Sequence, residues 1–272
     1  LTPSFNIRST ISSTAQTHLL VEVGRQGISF TVREGNALFS NVVCYHFETG
    51  DDIADQLQQI LAAEELLQQS FTKTDIVWLF ADSVLVPHEY FNSSATKETL
   101  ELVYGDAEQG EIKTDFLFRH NMHNIYRVPT AVESIVKAKF PYANQSHLYS
   151  LLPELAGKKD KQLFAIFYPR QLTAVLMING NVQVMQTFSY ANGRDAAYHL
   201  LNVCQQFDSS PDETQLHLSG MIDERSNLYS ELYKYFLHLQ FEPLPQSFEY
   251  ADGIKEHPQH FFSHLFATAA CV

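Results

Sequence analysis

Leu19-Leu20-Val21-Glu22-Val23-Gly24, a tight turn, and Ile28-Ser29-Phe30-Thr31-Val32 form the stretch that decides the fold, because the same arrangement returns later in the chain. Its second appearance is Leu163-Phe164-Ala165-Ile166-Phe167-Tyr168, a turn, and Leu172-Thr173-Ala174-Val175-Leu176. The first strands (from 19 and 163) and the second strands (from 28 and 172) are both 144 residues apart. Each pair is a predicted β-hairpin that runs on through Gly-Asn, at Gly35-Asn36 and Gly180-Asn181, into a third apolar strand. A period this long points to a whole repeated unit rather than a short stacking module.

Working outward, Thr49 is the expected N-cap of a helix with Asp51 and Asp52 in its first turn, where carboxylates favour the positive dipole end. Ile53, Leu57, Ile60, Leu61 and Leu67 give that helix one apolar stripe. Ile76-Val77-Trp78-Leu79-Phe80 then reads as a strand buried on both faces. In the second copy, Asn192 caps a helix bearing Ala197, Leu200, Leu201, Cys204 and Phe207, and Thr214–Leu218 is the matching strand. From Thr74 to Thr214 the offset is 140, which predicts about one extra helical turn in the first copy. Each unit is therefore β-β-β-α-β followed by more α and β, a mixed α/β class in which the helix returns the chain for parallel pairing.

Between the copies, the region from Pro87 to Pro129 reads as an inserted subdomain at about 88–128. It has a helix over Ala95–Val103, a polar turn from Gly105 to Gly110, and strands over Ile112–Phe118 and Met122–Val128. A helix over Ala131–Phe140, a strand at His147-Leu148-Tyr149 and a helix over Leu151–Ala156 complete the first domain, set at 18–156. The polar run 157–161 is the expected hinge, and the second domain is set at 162–272. Residues 1–17 read as an extended lead-in, and the opening Leu1 in place of Met as a cloning boundary.

Composition narrows the function. With 45% hydrophobic residues the chain has material for two cores. Thirty-one acidic residues against 18 basic ones give a formal charge of −13, a field that opposes nucleic acid and anionic membrane surfaces as partners. The same charge argues against a two-metal nuclease, for which Glu22 is the only suitably placed acid. Cys44, Cys204 and Cys271 are odd in number and lack paired spacing, which fits a reduced, cytoplasmic setting. No run is apolar enough to insert in a membrane, and the polar start lacks a signal-peptide core.

Two tandem units of this kind with an insertion after the fourth strand resemble the ribonuclease-H-like architecture of the actin, hexokinase and heat-shock chaperone superfamily. More narrowly, three motifs resemble a bacterial family, domain-of-unknown-function family 3822, whose fold is actin-like ATPase. They are Leu20-Val21-Glu22-Val23-Gly24, Leu85-Val86-Pro87-His88-Glu89-Tyr90-Phe91, and Phe140-Pro141 ahead of His147-Leu148-Tyr149-Ser150-Leu151-Leu152. The resemblance implies two βββαβα units and a nucleotide cleft cradled by two hairpin turns. It also implies an acid near Mg²⁺ and an adenosine pocket where a strand meets Gly-Gly.

The nucleotide-binding positions carried over are Glu22, Gly24 and Gly27 at the first hairpin, with Ser219 and Gly220 in Leu218-Ser219-Gly220-Met221. Glu in place of Asp sets the carboxylate more than about 1 Å away from the usual position, a large change for near-octahedral Mg²⁺. The second hairpin offers Phe167-Tyr168-Pro169-Arg170, without acid or glycine and with a proline that lacks an N–H. The motifs are thus degraded, and the expectation is a non-catalytic protein-binding or scaffold module with a protein partner and no bound cofactor. The alternative is a switch or ATPase binding ATP with Mg²⁺, in which Glu22 is the catalytic acid. No metal site is expected: His257, His260 and His264 stand among Phe261, Phe262, Leu265 and Phe266 on an amphipathic helix, and His120 and His123 lack a third ligand.

Overall fold

The computed structural model describes residues 2–10, 16–105, 109–155 and 161–272. Of the expected hinge at 157–161, all but Lys161 lies outside the described residues, as does most of the polar turn after Gly105. The chain divides into two compact units, Leu1–Leu151 with Ser247–Ile254, and Leu152–Gln246 with Lys255–Val272.

The first unit begins with β1 (Phe5–Ile7), β2 (Thr17–Gly24), β3 (Gly27–Glu34), β4 (Leu38–His46), α1 (Ile53–Ala63) and β5 (Lys73–Trp78). The insertion follows as β6 (Ser83–Pro87), α2 (Thr96–Tyr104), β7 (Gly110–Leu117) and β8 (Met122–Pro129). Then come α3 (Thr130–Lys139), β9 (Asn144–His147) and α4 (Leu148–Leu155), which carries the chain into the second unit. The second unit runs β10 (Lys161–Phe167), β11 (Gln171–Ile178), β12 (Asn181–Ser189), α5 (Gly193–Gln206), β13 (Gln215–Gly220), α6 (Asn227–Leu232) and β14 (His238–Phe241). Beyond it lie β15 (Glu249–Tyr250), α7 (Asp252–Lys255) and α8 (Ser263–Cys271).

The main sheet of the first unit has the order β4-β3-β2-β5-β9, and that of the second β12-β11-β10-β13-β14. In both, the first three strands are antiparallel neighbours, and the first and fourth run parallel. Both units therefore have the ribonuclease-H-like order expected from the repeat. The parallel registers pair Leu19 with Thr74 and Leu163 with Leu216, so the offset between the fourth strands is 142. The first unit is longer by two residues here. The extra length is not α-helix: α1 stops at Ala63, and Glu65–Gln68 adds a 3-10 turn that buries Leu66 and Leu67.

Each core follows from periodicity. Leu19, Val21 and Val23 of β2 with Ile76 and Trp78 of β5 pack against Leu57, Ile60 and Leu61 of α1 and Val132 and Val136 of α3. In the second unit, Leu163, Ala165 and Phe167 join Leu216 and Leu218 against Ala197, Leu200 and Cys204 of α5. The N-cap of α5 is Asn192, as expected, its side chain accepting from the Arg194 and Asp195 amides. That of α1 is Asp52 and not Thr49, because Gly50 takes a positive φ of 100° and the chain stays non-helical until Ile53.

Other differences are local. The inserted sheet has three strands, β6-β8-β7, and starts at Ser83. His147 ends a strand and Leu148 begins a helix, where a strand through Tyr149 was expected. The lead-in contains β1, which pairs antiparallel with β4 along Val42–Cys44, while β15 pairs parallel with Leu38 and Phe39 of the same strand. Cys44, Cys204 and Cys271 are free thiols, the first two buried.

Candidate functional site

Glu22 lies opposite Ser29 on β3 and Val77 on β5, and Ser29 lies opposite Cys44 on β4. Since Leu19, Val21 and Val23 face the α1 and α3 side, alternation turns Glu22 to the other face of the sheet. It is 1% exposed, and burial pushes its carboxyl up to about 8. A carboxyl there is neutral through most of the physiological range. Burial also drives the Cys44 thiol up to about 12, with the Ser29 hydrogen bond lowering it and nearby Glu22 raising it.

Both glycines of the first turn are required by close packing. A Cβ on Gly24 would stand 2.8 Å from the Leu79 Cβ, and one on Gly27 would stand 2.0 Å from the Tyr45 carbonyl oxygen. The second hairpin turns differently. The Tyr168 N–H donates to the Gln171 carbonyl at 2.8 Å, and the Tyr190 hydroxyl donates to the Tyr168 carbonyl at 2.7 Å. Pro169 contributes no N–H to that turn.

Ser219 and Gly220 close β13 and are also engaged within their unit. Gly220 has a φ of 83°, and a Cβ on it would meet the Phe167 carbonyl oxygen at 2.2 Å. The Ser219 hydroxyl lies 3.1 Å from the His260 carbonyl, 2.8 Å from the Ser263 hydroxyl and 3.0 Å from Nδ1 of His264. The α8 segment thus sits against the end of β13 where the resemblance places an adenosine pocket. His264 is half-buried, and desolvation pushes its imidazole down to about 4, hence neutral. His260 stacks on Phe241 with ring centroids 4.0 Å apart and has Nε2 2.6 Å from the Ile222 carbonyl, so its ring donates there. His257 packs edge-on against Phe262. Among the described residues, no group of three or more His, Cys, Asp or Glu is placed to hold a metal ion.

Sequence reasoning missed the way the inserted sheet is anchored and what its tip presents. Asp115 of β7 accepts from the His147 amide (2.8 Å) and the Ser150 hydroxyl (2.6 Å) at Oδ2, and from the Tyr126 hydroxyl (3.2 Å) at Oδ1. Asn124 of β8 accepts from Ser83 at 2.6 Å and donates to Ser150 at 3.0 Å. The buried His147 ring donates from Nε2 to the Phe80 carbonyl at 2.8 Å and accepts the Tyr149 amide at Nδ1. Burial holds that imidazole at about 4, and burial raises the Asp115 carboxyl against the pull of its three donors. At the tip, His123 lies between Phe91 (3.7 Å), Phe116 (4.7 Å) and His88 (5.2 Å) by ring centroids, and Tyr90 and Phe118 stand exposed beside them. The signal was the run His88-Glu89-Tyr90-Phe91, aromatic where a loop is normally polar.

An acidic depression lined by Glu48, Asp51, Asp52, Asp55, Gln56 and Gln59 opens at the start of α1. Its polar groups serve the local fold, since Asp52 caps the helix and Gln56 accepts the Glu48 amide at 2.7 Å.

Compared with solved structures, the chain is similar to a Bacteroides thetaiotaomicron protein with actin-like ATPase fold and unknown function. The two share 16% identity over 93% of this chain and 96% of that one, with a TM-score of 0.76. It is also similar to the type IV pilus biogenesis complex PilM–PilN (13% identity, 93% and 97% covered, TM-score 0.56). A third is the ethanolamine utilization protein EutJ from Carboxydothermus hydrogenoformans (7%, 98% and 93%, TM-score 0.52). At these identities the likeness shows the fold, which is actin-like ATPase. No curated protein matches. The sequence profile of one family, described as a protein of unknown function (DUF3822), matches residues 7–239. Its match runs from the end of β1 into β14 and takes in the inserted strands, and the chain belongs to that family.

Proposed function

We propose that this chain is a non-catalytic, protein-binding member of the actin-like fold whose nucleotide machinery is degraded. The observation that carries the reading is the engagement of Ser219 and Gly220. The serine hydroxyl is bonded among His260, Ser263 and His264, and the glycine is closed over Phe167. The turn at Tyr168-Pro169-Arg170 and the neutral carboxyl of Glu22 support it, since a phosphate cradle needs free amides and Mg²⁺ needs anionic oxygen. A structure of this fold in a PilM–PilN complex supports a protein as the partner. The exposed rings of Tyr90, Phe116 and Phe118 at the inserted tip offer such a partner apolar contact. Three free thiols suit the cytoplasm, and no helix among the described residues is long and apolar enough to cross a membrane.

The test is a melting-temperature titration with ATP, ADP and GTP, with and without Mg²⁺, beside capture of partners from native lysate. The nucleotides leave the melting temperature unchanged, and Phe116→Ser with Phe118→Ser loses the captured protein. Saturation to about 100 times a dissociation constant would add about 2.7 kcal/mol, a readable rise. A Mg²⁺-dependent rise that vanishes in Glu22→Ala would replace this reading with the nucleotide switch, which the retained Glu22-Val23-Gly24 favours.

A further inference from the structure

The two main sheets share a strand order but treat their third strand differently. In the first unit, the outer edge of β4 is covered by two short extended segments, β1 along Val42–Cys44 and β15 along Leu38 and Phe39. Its counterpart β12 is the terminal strand of the second sheet, and among the described residues no strand pairs with its outer side. Nine residues long, about 30 Å, it presents a row of backbone donors and acceptors of the kind that another strand completes.

Sequence says what that strand is. Edge strands are normally protected by charge, proline, brevity or bulges. β1, β9 and β14 are three or four residues long, β6 ends in Pro87, and β7 carries Glu111, Lys113 and Asp115. Asn181-Val-Gln-Val-Met-Gln-Thr-Phe-Ser189 has no charge and no proline, and its one bulge, at Gln183 near the start, leaves Val184–Ser189 as a regular edge. In a chain of net charge −13, this is a neutral strip along which two copies of the protein can meet without a like-charge pair. Antiparallel pairing of a strand with its own copy closes under a two-fold axis, which makes such a contact finite. That axis stands perpendicular to the sheet, so α5 of each copy falls on the same side of the seam. There Phe188 of β12 stacks on His199 of α5 at 4.5 Å, and Tyr198, 66% exposed, extends the ring cluster outward.

We propose that β12 is a self-association edge: two copies pair antiparallel along β12 and merge their five-stranded sheets into one of ten strands. Charge elsewhere on the molecule gives the dimer a diagnostic salt dependence. Two bodies of −13 repel at long range while the neutral seam is indifferent to screening, so added NaCl strengthens the dimer.

Sedimentation equilibrium of the full chain tests this. At about 100 µM the mass is twice the 31.0 kDa of one chain, and the dimer tightens between low and moderate salt. The exposed Gln183 and Gln186 are replaced together by Glu in one variant and by Arg in another. Each variant alone weakens the dimer at least about tenfold, with circular dichroism unchanged and melting temperature unchanged at dilutions where all forms are monomeric, and mixing the two restores it. A wild-type chain that stays monomeric at both salts overturns the proposal, whatever other strand it can be made to accept. So does a dimer that both charged variants leave intact.

Discussion

Glu22 holds its proton up to about pH 8 in the folded chain, whereas the ordinary value for a glutamate side chain is 4.5. Between those values the folded state carries one proton more than the unfolded state, so stability falls as pH rises. The contribution is fully present below pH 4.5 and is lost by the time pH passes 8. Glu22→Gln keeps shape and polarity but removes the titration. Melting curves of the two proteins converge near pH 4.5, and the variant melts progressively higher than wild type up to pH 8, by the equivalent of a few kcal/mol. Parallel curves would show that the carboxyl is not desolvated. The alternation Leu20-Val21-Glu22-Val23 is visible in the sequence, but it does not say what covers the second face of β2. That face is covered by neighbouring strands, where Ser29 and Val77 stand opposite Glu22 and Cys44 opposite Ser29, and periodicity within β2 cannot report them.

Elements differ in how much of their shape they carry locally. The hairpins and the two capped helices were readable because turn glycines, apolar stripes and an Asn N-cap act within a few residues. β1 and β15, three and two residues long, hold no periodic pattern and are strands only because β4 is there to pair with. The same limit hid the fate of Ser219, whose partners are more than 40 positions away. Anchoring of the inserted sheet is a third case, resting on Asp115 and its three donors. Asp115→Ala leaves the His147 amide and two hydroxyls without that acceptor. It is expected to cost about 2–4 kcal/mol in denaturant unfolding. Amide exchange should accelerate most in β7 and β8, and uniform acceleration over the whole first unit would argue against a local anchor.

Summed over the molecule, the shifted groups oppose one another. His147 and His264, one in each unit, are depressed from 6.5 to about 4, so each adds stability above pH 6.5 and loses it as pH falls towards 4. Glu22 acts in the other direction between 4.5 and 8. Below pH 6.5 these two histidines, joined by His46, His123 and His260 depressed in the same direction, outweigh one carboxyl, and above it the carboxyl's opposite effect prevails. Stability is therefore expected to peak near pH 6.5, and thermal unfolding across pH 4 to 9 checks it; a maximum above pH 8 would contradict the assignment.

The short strand β15 sets a condition on how the protein is made. Ser247–Ile254 belongs with the first unit although every strand of the second unit's sheet precedes it in the chain. A ribosome delivers residues in order, so Leu38 and Phe39 of β4 wait without that neighbour while the whole second sheet is synthesised. Phe39, fully buried in the finished protein against Phe248 and Tyr250, lacks both of those rings throughout this interval. The first half of the chain is thus a nascent intermediate with one unfinished edge, which only the last quarter of the sequence completes.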